Sequence, residues 1–469
     1  MHTKMGAWTA IVLAAGRGTR MRSSRPKVLH TVAGVPMVSH ATEAARFTDA
    51  NDVIVVIRPA DRAEVSLAVG GDAECVEQPD PLGTGHALAT AVIAVPPESQ
   101  HVLVVNGDVP LVQKETVQAL AALHERRKAT ATLLCCSMEA ASAQQIGRLQ
   151  RGARGKPIGV LEADDAPMPR KGEVEVNVGV YAFEARWLRR ALGQLKPRPG
   201  GEYYLTDLIP HAVADGKRVE AYVTQDKDEA LSVNGRQDLA RVEAAAQRRL
   251  RDAAMAGGAT LVDPATVYLD ATVQLGHDVT VYPNTSIRGA SRIARGASLG
   301  PNAQLKDAEV GPDVYVGSAV VEGSVLGPRV NVGPFSHIRP GCVLEEDAFV
   351  GSHVEIKASR ICSGAHVGHF SYIGDAVVGA DANIGAGTVT CNFDGVLKHE
   401  TEIGEGAFIG SDSLLIAPVK VGAGAVTGAG AVVNRDVPPG GRVAGVPARP
   451  LGMRSGRALV EKEEGISLG

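Results

Sequence analysis

An aliphatic residue returns at every sixth position through much of the second half of this 469-residue chain. Leu269, Leu275, Val281, Ile287, Ile293, Leu299 and Leu305 keep one phase. Val314, Val320, Leu326, Val332, Ile338, Leu344, Val350 and Ile356 keep another. After two shorter slips the spacing resumes at Ile403, Ile409, Leu415 and Val421, then Val433. No helix has that period. Hexads separated by Gly, Ala, Ser, Asn and Asp are the repeat of a parallel β-helix, in which a short strand and a turn fill six residues and three hexads close one coil. The inward aliphatics stack into a column, and no rung buries its face alone. An ordinary antiparallel domain with chance spacing would need period-two strands and irregular turns instead.

The length allows two to four domains and a sizeable core. A net charge of −4, with both signs interspersed, offers no basic face for nucleic acid and no polybasic membrane anchor. Aromatic residues make up only 4% of the chain while glycines number 54, which suits a coil of tight turns. Six cysteines, Cys75, Cys135, Cys136, Cys342, Cys362 and Cys391, show no CxxC spacing, so a reduced state in the cytoplasm is expected. The apolar run Ala7–Ala15 is too short for a signal peptide and leads directly into a glycine-rich motif. No run approaches the roughly 20 apolar residues of a membrane span.

Thr9 to Ala15 reads as a buried parallel strand opening into Gly16-Arg17-Gly18-Thr19-Arg20-Met21, followed by Pro26-Lys27. A strand that ends in a glycine-rich loop presents backbone N–H groups to a phosphate. The loop lacks the ending of a P-loop and the G-x-G-x-x-G of a dinucleotide fold. Strands at Val53–Ile57, Val102–Val105 and Ala131–Cys135 alternate with helical stretches such as Glu115–Lys128, which predicts a Rossmann-like α/β domain with a mostly parallel sheet. Two further loops fall at its carboxyl edge, Pro81-Leu82-Gly83-Thr84-Gly85-His86 after Gln78, and Asn106-Gly107-Asp108-Val109-Pro110. An acidic residue at a strand end near phosphates suits a divalent metal, although Asp108 taken alone reads more readily as a turn or capping aspartate.

The run Leu13-Ala14-Ala15-Gly16-Arg17-Gly18-Thr19-Arg20-Met21 with Pro26-Lys27 resembles the signature of nucleotidyltransferases that make nucleotide sugars. Leu82-Gly83-Thr84-Gly85-His86-Ala87, Gly107-Asp108-Val109-Pro110-Leu111, Gly201-Glu202-Tyr203-Tyr204-Leu205-Thr206-Asp207 and Val233-Asn234 narrow the match. Followed by a hexapeptide coil, they resemble the bifunctional N-acetylglucosamine-1-phosphate uridylyltransferase and glucosamine-1-phosphate N-acetyltransferase family of bacterial UDP-N-acetylglucosamine synthesis. The match runs in order from about residue 9 to about residue 437.

That resemblance implies a reaction in which a sugar 1-phosphate oxygen attacks the α-phosphorus of UTP and expels pyrophosphate, so the site must position two anions and neutralise charge between them. Arg20 and Lys27 match the family's phosphate-binding residues, and Asp108 and Asn234 its Mg²⁺ ligands. Leu13, Ala14, Gly16, Gln78, Gly83 and Thr84 match its nucleotide contacts; Gly147, Glu162 and Asn177, with Asn234, match its sugar contacts. Several positions depart from the pattern. Ile146 stands where Tyr is frequent, Pro81 replaces a polar residue and Val178 replaces Thr. The usual Val-Glu-x-Lys-Asp reads Leu161-Glu162-Ala163-Asp164-Asp165, without its lysine.

Residues 236–258 read as a helical linker, with Leu239, Val242, Ala246 and Leu250 near one face and Gly257-Gly258 ending it. The expected division is therefore a uridylyltransferase domain over 1–235, this linker, and a left-handed parallel β-helix over 259–469. Residues eighteen apart in a three-sided coil lie one above the other, and Arg339 and Lys357 are so spaced. Two stacked cations suit a phosphate guest or, more blandly, share a solvated edge. His369 reads as a turn histidine, as part of a metal set with His353 and His366, or as a general base near neutral pH. The hexads fail from Cys391 to Thr401, where Asn392-Phe393-Asp394-Gly395 can project from the coil.

By the same resemblance Arg339 and Lys357 bind the sugar phosphate and Tyr372, Asn383 and Asn392 help hold glucosamine. His369 deprotonates the amine that attacks the acetyl-CoA thioester, and Ala386, Ser411 and Ala429 match the acetyl-CoA site between coils of a homotrimer. Phe393 stands where Tyr is usual, losing a hydroxyl but keeping a stacking face. Gly445-Val446-Pro447-Ala448-Arg449-Pro450 looks more like the ending of general hexapeptide acyltransferases, and a charged, mobile tail is expected beyond it. Two other readings share this plan: a nucleotidyltransferase whose coil is only an oligomerising or regulatory scaffold, and a non-enzymatic assembly subunit of the exchange-factor kind. The set Arg339, Lys357, His369, Asn383 and Asn392 argues against the first, and Lys27, Asp108 and Asn234 against the second.

Overall fold

This computed structural model describes residues 7–47, 52–144, 146–163, 165, 169 and 171–453. Two compact units divide the chain, Met1–Arg248 and Arg249–Gly469.

The first unit is built on β1 (Trp8–Leu13), buried along its whole length. Its alternate residues serve two cores: Trp8, Ala10 and Val12 pack on one face of the sheet, Ile11 and Leu13 on the other. A strand covered on both faces must be apolar throughout, which is why Trp-Thr-Ala-Ile-Val-Leu reads as a run and not as an alternation. The chain continues through α1 (Met37–Ala45), β2 (Asp52–Ile57), α2 (Arg62–Val69) and β3 (Ala73–Glu77), moving outward on one side of β1. After α3 (Thr84–Ala91) it crosses back, and β4 (His101–Asn106) pairs with the other side of β1 in parallel. Strand order thus reverses between β1 and β4, the place where an open α/β sheet leaves a crevice at its carboxyl edge.

Then follow α4 (Lys114–Arg127), β5 (Ala131–Glu139), the hairpin β6 (Arg148–Arg151) and β7 (Pro157–Leu161), β8 (Glu173–Glu184), α5 (Ala185–Leu192), α6 (Leu208–Ala214) and β9 (Val219–Thr224). Along the main path the order is β9-β5-β8-β4-β1-β2-β3. The sheet is mixed, because β8 lies antiparallel between β4 and β5. It arrives from the hairpin without the helical crossover that parallel pairing needs. The three expected strands and the α4 helix fall within a few residues of their predicted bounds. The helix α7 spans Arg236–Ala256, and the division between the units falls inside it.

The second unit is a three-sided coil whose faces, among the described residues, belong to sheets of 12, 10 and 9 strands. Strands stack in parallel register from coil to coil, as in Leu261↔Val281↔Leu299↔Val316. Inward residues form one continuous core, closed at its first end by Leu250 and Ala254. Each inward aliphatic removed from water contributes about 2 kcal/mol. The predicted phase needs one correction. Between Leu305 and Leu326 the inward strand residues are Val310, Val316 and Val321, whereas Val320 is half-exposed; Val314 is buried in the turn before its strand. Steps of five residues at these corners, repeated from Ile356 to Ile361 and from Ile373 to Val378, shift the phase that a strict hexad assigned to Val320. Leu275 is likewise only half-buried. The last two strands, Gly441–Ala444 and Arg449–Met453, pair antiparallel, so Gly445-Val446-Pro447-Ala448 is a reversal at the end of the coil. The charged tail beyond residue 453 lies outside the described residues.

Candidate active sites

In the first unit, the crevice between β1 and β4 gathers the glycine-rich loop, the aspartate loop and the segment entering α7. Gly18 has φ 60°, and a side chain there would meet Lys27 Cβ at 2.5 Å, so the second glycine of the motif is what lets Lys27 fold back over the loop. Lys27 Nζ then donates to Asp108 Oδ2 at 2.6 Å. Asp108 is fixed by its neighbours: the Gly107 N–H donates to the Leu13 carbonyl at 2.9 Å, and the Val233 N–H to the Asp108 carbonyl at 3.0 Å. That second bond brings Asn234 alongside, where its Oδ1 accepts from Arg20 Nη2 at 3.0 Å. Asp238 in the first turn of α7 holds the approach by accepting from the Asn234 and Gly235 N–H groups at 3.1 and 2.9 Å. Arg20, Lys27, Asp108 and Asn234, far apart in sequence, therefore form one cluster of two cations, a carboxylate and an amide. Ala14 is tied to β2 through its N–H to the Val56 carbonyl at 2.8 Å, and Gly16 lies open in the loop.

Gln78 follows β3 and is buried; its Nε2 reaches His86 Nδ1 at 2.8 Å and the Gly83 carbonyl at 3.5 Å. Gly83 and Thr84 open α3 and interlock with the Tyr203–Leu205 segment: Tyr203 N donates to the Leu82 carbonyl, Gly85 N to the Tyr203 carbonyl, both at 2.8 Å, and Leu205 N to Thr84 Oγ1 at 3.1 Å. Pro81 precedes this lock, at a partly exposed position.

The residues predicted for the sugar also converge. Asn177 N donates to the Gly147 carbonyl at 2.8 Å, and a side chain at Gly147 would lie 3.1 Å from Glu162 Oε2. Asn177 Nδ2 donates to the buried Tyr181 hydroxyl at 2.6 Å, next to the register shift of β8 that carries Val178. Ile146 packs beside this wall against the core. Glu162 Oε1 accepts from Thr206 Oγ1 at 2.6 Å. Burial pushes the Glu162 carboxyl above its usual range, opposed by the Thr206 bond and by Arg198. The motif reading missed Arg198. It sits in Pro197-Arg198-Pro199, three residues before the Gly201–Asp207 motif, and its proximity to that motif was the available signal. Asp164 lies outside the described residues.

In the second unit most of the predicted residues fall along the two edges of the 10-stranded face. Arg339 and Lys357 leave that face at one edge. Each has a carboxylate partner from its own chain: Arg339 Nη1 donates to Glu355 Oε1 at 2.9 Å, and Lys357 Nζ to Asp375 Oδ2 at 3.5 Å. Asn392 joins them through Asp375, and its Nδ2 reaches the Tyr372 hydroxyl at 3.5 Å. Lys398, missed in the sequence, returns along the projecting loop to this cluster. The Lys357 ammonium against it, with Arg339 behind, holds the Lys398 amine below the usual lysine range. Three cations share two carboxylates here. The interrupted hexads that flagged the loop were the signal for Lys398. The loop is held by Asp394, which accepts from the Val396 and Leu397 N–H groups at 2.8 and 2.7 Å and from His399 at 2.7 Å, while Phe393 stands exposed.

The opposite edge carries His369. One coil apart, Gly387 N donates to the His369 carbonyl, Asp412 N to the Ala386 carbonyl and Gly430 N to the Ser411 carbonyl. His369, Ala386 and Ser411 thus stand in one column, with Ala429 directly before Gly430 at its end. Asn383 lies on the adjoining 12-stranded face, paired between His366 and Phe408. His353 does not join a metal set; its ring stacks between Phe335 and Phe370, and His366 stacks on Phe349. Among the described residues no group of three or more His, Cys, Asp or Glu is arranged to hold a metal. The backbone N–H of Ser352 donates to His369 Nδ1 at 3.1 Å. Nδ1 is therefore the acceptor, and the neutral ring carries its proton on Nε2. Lys357 pairs with Gly374, five residues beyond His369, so the cation cluster and the histidine occupy opposite edges of one face.

These features define a nucleotidyltransferase domain joined to a hexapeptide-repeat acyltransferase coil. Residues 10–200 match the MobA-like NTP transferase domain, and residues 323–358 and 400–435 match the bacterial transferase hexapeptide (six repeats). The chain is 43% identical over 429 residues to the bifunctional protein GlmU of Carboxydothermus hydrogenoformans, covering 91% of this chain and 95% of that one. Identity to the GlmU proteins of Heliobacterium modesticaldum and Kineococcus radiotolerans is 43% and 44%, covering 92% of this chain and 94% and 88% of theirs. The chain belongs to the GlmU bifunctional protein family, with a nucleotidyltransferase and a hexapeptide acetyltransferase domain.

Proposed function

We propose that the coil transfers acetyl from acetyl-CoA to glucosamine 1-phosphate, and that the first unit then transfers uridylyl from UTP to N-acetylglucosamine 1-phosphate. The products are UDP-N-acetylglucosamine and pyrophosphate. One observation carries this reading: each unit holds its own cluster of converging cations, Arg20 with Lys27 in the first and Arg339, Lys357 and Lys398 in the second.

In the first reaction the glucosamine nitrogen attacks the thioester carbonyl, the proton of the resulting ammonium passes to His369, and the C–S bond breaks to release CoA as a thiolate, which takes that proton from His369 and leaves as the thiol. Arg339, Lys357 and Lys398 hold the substrate phosphate, displacing carboxylate partners, while Tyr372, Asn383 and Asn392 orient the sugar. His369 must release Ser352 or turn its ring before it can accept that proton. The Ala386–Ser411–Ala429 column is the acetyl-CoA side of the site. Because His369 and Lys357 sit at opposite edges of one face, a second copy of the coil completes the site, and a homotrimer of three-sided coils satisfies every copy alike.

In the second reaction the sugar-phosphate oxygen forms a bond to the α-phosphorus as the bond to pyrophosphate breaks. Lys27 and Arg20 neutralise the charge that builds on the phosphates, the loop from Leu13 to Gly16 with Gln78, Gly83 and Thr84 cradles the nucleotide, and Gly147, Glu162 and Asn177 orient the sugar. Asp108 and Asn234 offer oxygen donors of the kind Mg²⁺ takes when water and substrate phosphates fill its other positions, and both oxygens already face a cation here. When bound, the ion supplies further charge neutralisation between the phosphates. Among the described residues no helix is long and apolar enough to cross a membrane, and the free cysteines and small polar substrates fit a cytoplasmic enzyme.

A coupled assay tests both halves: acetyl-CoA, glucosamine 1-phosphate and UTP together yield UDP-N-acetylglucosamine. Omitting acetyl-CoA stops synthesis unless N-acetylglucosamine 1-phosphate is added. No pyrophosphate release with the acetylated sugar and Mg²⁺ would reject the reading of the first unit, and no acetyl transfer that of the coil.

A further inference from the structure

We propose that Arg198 is a positioning residue of the sugar subsite: it fixes Glu162 by clamping together the two segments that hold the Glu162 carboxylate. This rests on the uridylyltransferase reading above. Glu162 is held from two directions. Its backbone N–H donates to Asp165 Oδ2 at 2.9 Å, and its Oε1 accepts from Thr206 Oγ1 at 2.6 Å. Arg198 grips the residue that does the first and the neighbour of the residue that does the second. Its Nη1 donates to Asp165 Oδ1 and Oδ2 at 3.1 and 3.0 Å, its Nε donates to Asp207 Oδ2 at 3.0 Å, and its Nη2 donates to Asp207 Oδ1 at 2.5 Å. The guanidinium lies over the Tyr204 ring at 4.4 Å, and its own backbone is closed into a turn with Glu202.

Only a planar fork can reach two carboxylates on opposite sides while stacking on a ring; a lysine is a single point of charge. The role also answers a departure noted in the sequence. The Leu161–Asp165 stretch carries no lysine, and among the described residues the cation acting on the Glu162 carboxylate is Arg198, against Asp165 and Asp207, which push the other way. Without Arg198, two unopposed carboxylates face Glu162 and its segment loses one anchor. Glu162 then takes up a proton at a higher pH and holds the sugar hydroxyls less well.

The full-length chain carrying Arg198→Ala is compared with wild type by pyrophosphate release. The expected result is a KM for N-acetylglucosamine 1-phosphate raised about 10- to 100-fold, with the KM for UTP within about twofold. The acid limb of kcat/KM for the sugar moves to higher pH. Arg198→Lys recovers only part of the loss, and Asp165→Asn raises the sugar KM in milder form without moving the acid limb to higher pH, since the Asp165 charge itself pushes the Glu162 carboxyl upward. Acetyl transfer by the same preparation and intrinsic tryptophan fluorescence report folding; if Arg198→Ala does not fold, Arg198→Lys and Asp165→Asn carry the comparison. An unchanged sugar KM, an equal rise in both KM values, or an acid limb that stays in place in the Arg198 variants would overturn the role of Arg198. A wild-type enzyme that never releases pyrophosphate with this sugar would overturn the uridylyltransferase reading instead.

Discussion

Lys27 Nζ lies 2.6 Å from Asp108 Oδ2, with 11% and 22% of the two side chains open to solvent. The pair joins the glycine-rich loop to the end of β4, and a charge so placed is costly to leave unmatched. Lys27→Ala and Asp108→Ala should each lower kcat/KM for uridylyl transfer by about 100-fold or more while acetyl transfer is unchanged. Excess chelator should separate the activities in the same way. Parallel loss of both activities would point to collapse of the chain.

His369 should behave as the proton acceptor of the coil. Replacing it with alanine is expected to slow acetyl transfer by about 10²- to 10⁴-fold and to leave uridylyl transfer intact. Nitrogen-15 NMR of the resting enzyme should find the neutral ring protonated at Nε2, since Ser352 N–H donates to Nδ1. A dominant Nδ1–H form would contradict that contact.

Acid should weaken the first unit through His124. Its ring is buried beside Trp8 and His101, with Nδ1 on Thr132 Oγ1 at 2.9 Å, and among the described residues its Nε2 has no partner. Burial, then the neighbouring His101, lowers its pKa from 6.5 to about 3. His101 is itself lowered by burial, with Glu125 and Glu184 opposing. The folded state binds the proton less readily than the unfolded chain, so this contribution is complete above about pH 6.5 and is lost progressively as pH falls toward 3. The loss should reach about 2 kcal/mol by pH 5. Both tryptophans, Trp8 and Trp187, lie in this unit, so denaturant titrations followed by tryptophan fluorescence read it alone. His124→Gln should flatten the pH dependence; an unchanged slope would assign it elsewhere.

Gly83 has φ 99°, and a Cβ there would lie 2.5 Å from the Tyr203 carbonyl oxygen. Gly83→Ala must break the interlock with the Tyr203–Leu205 segment or strain it. It should destabilise the first unit by about 2 kcal/mol and raise the KM for UTP. Fluorescence-monitored unfolding and pyrophosphate release at varied UTP would check the two effects separately.

The coil was legible in the sequence because one period repeated often enough to outvote local ambiguity. It misled at Val320, where a five-residue step moves the core position to Val321 and no single hexad reveals which corner has been shortened. In the first unit the glycine motifs located Lys27 and Asp108, since positive φ and close approach leave few residue choices. Arg198 left no such trace. Its importance comes from the meeting of Asp165 and Asp207 around it, which is a matter of folding and not of spacing. Lys398 was hidden for a similar reason: the break in the repeat marked the loop but not which of its residues turns back. The antiparallel placement of β8 was equally silent, because a strand buried on both faces reads the same in either direction.

The placement of His369 and Lys357 at opposite edges of one face has a genetic counterpart. A mixture of His369→Ala and Lys357→Ala subunits, each inert in acetyl transfer when alone, should regain part of that activity once denatured and refolded together. The intact histidine of one copy would then meet the intact lysine of the next. Damage to either edge would be recessive in a cell that makes both forms.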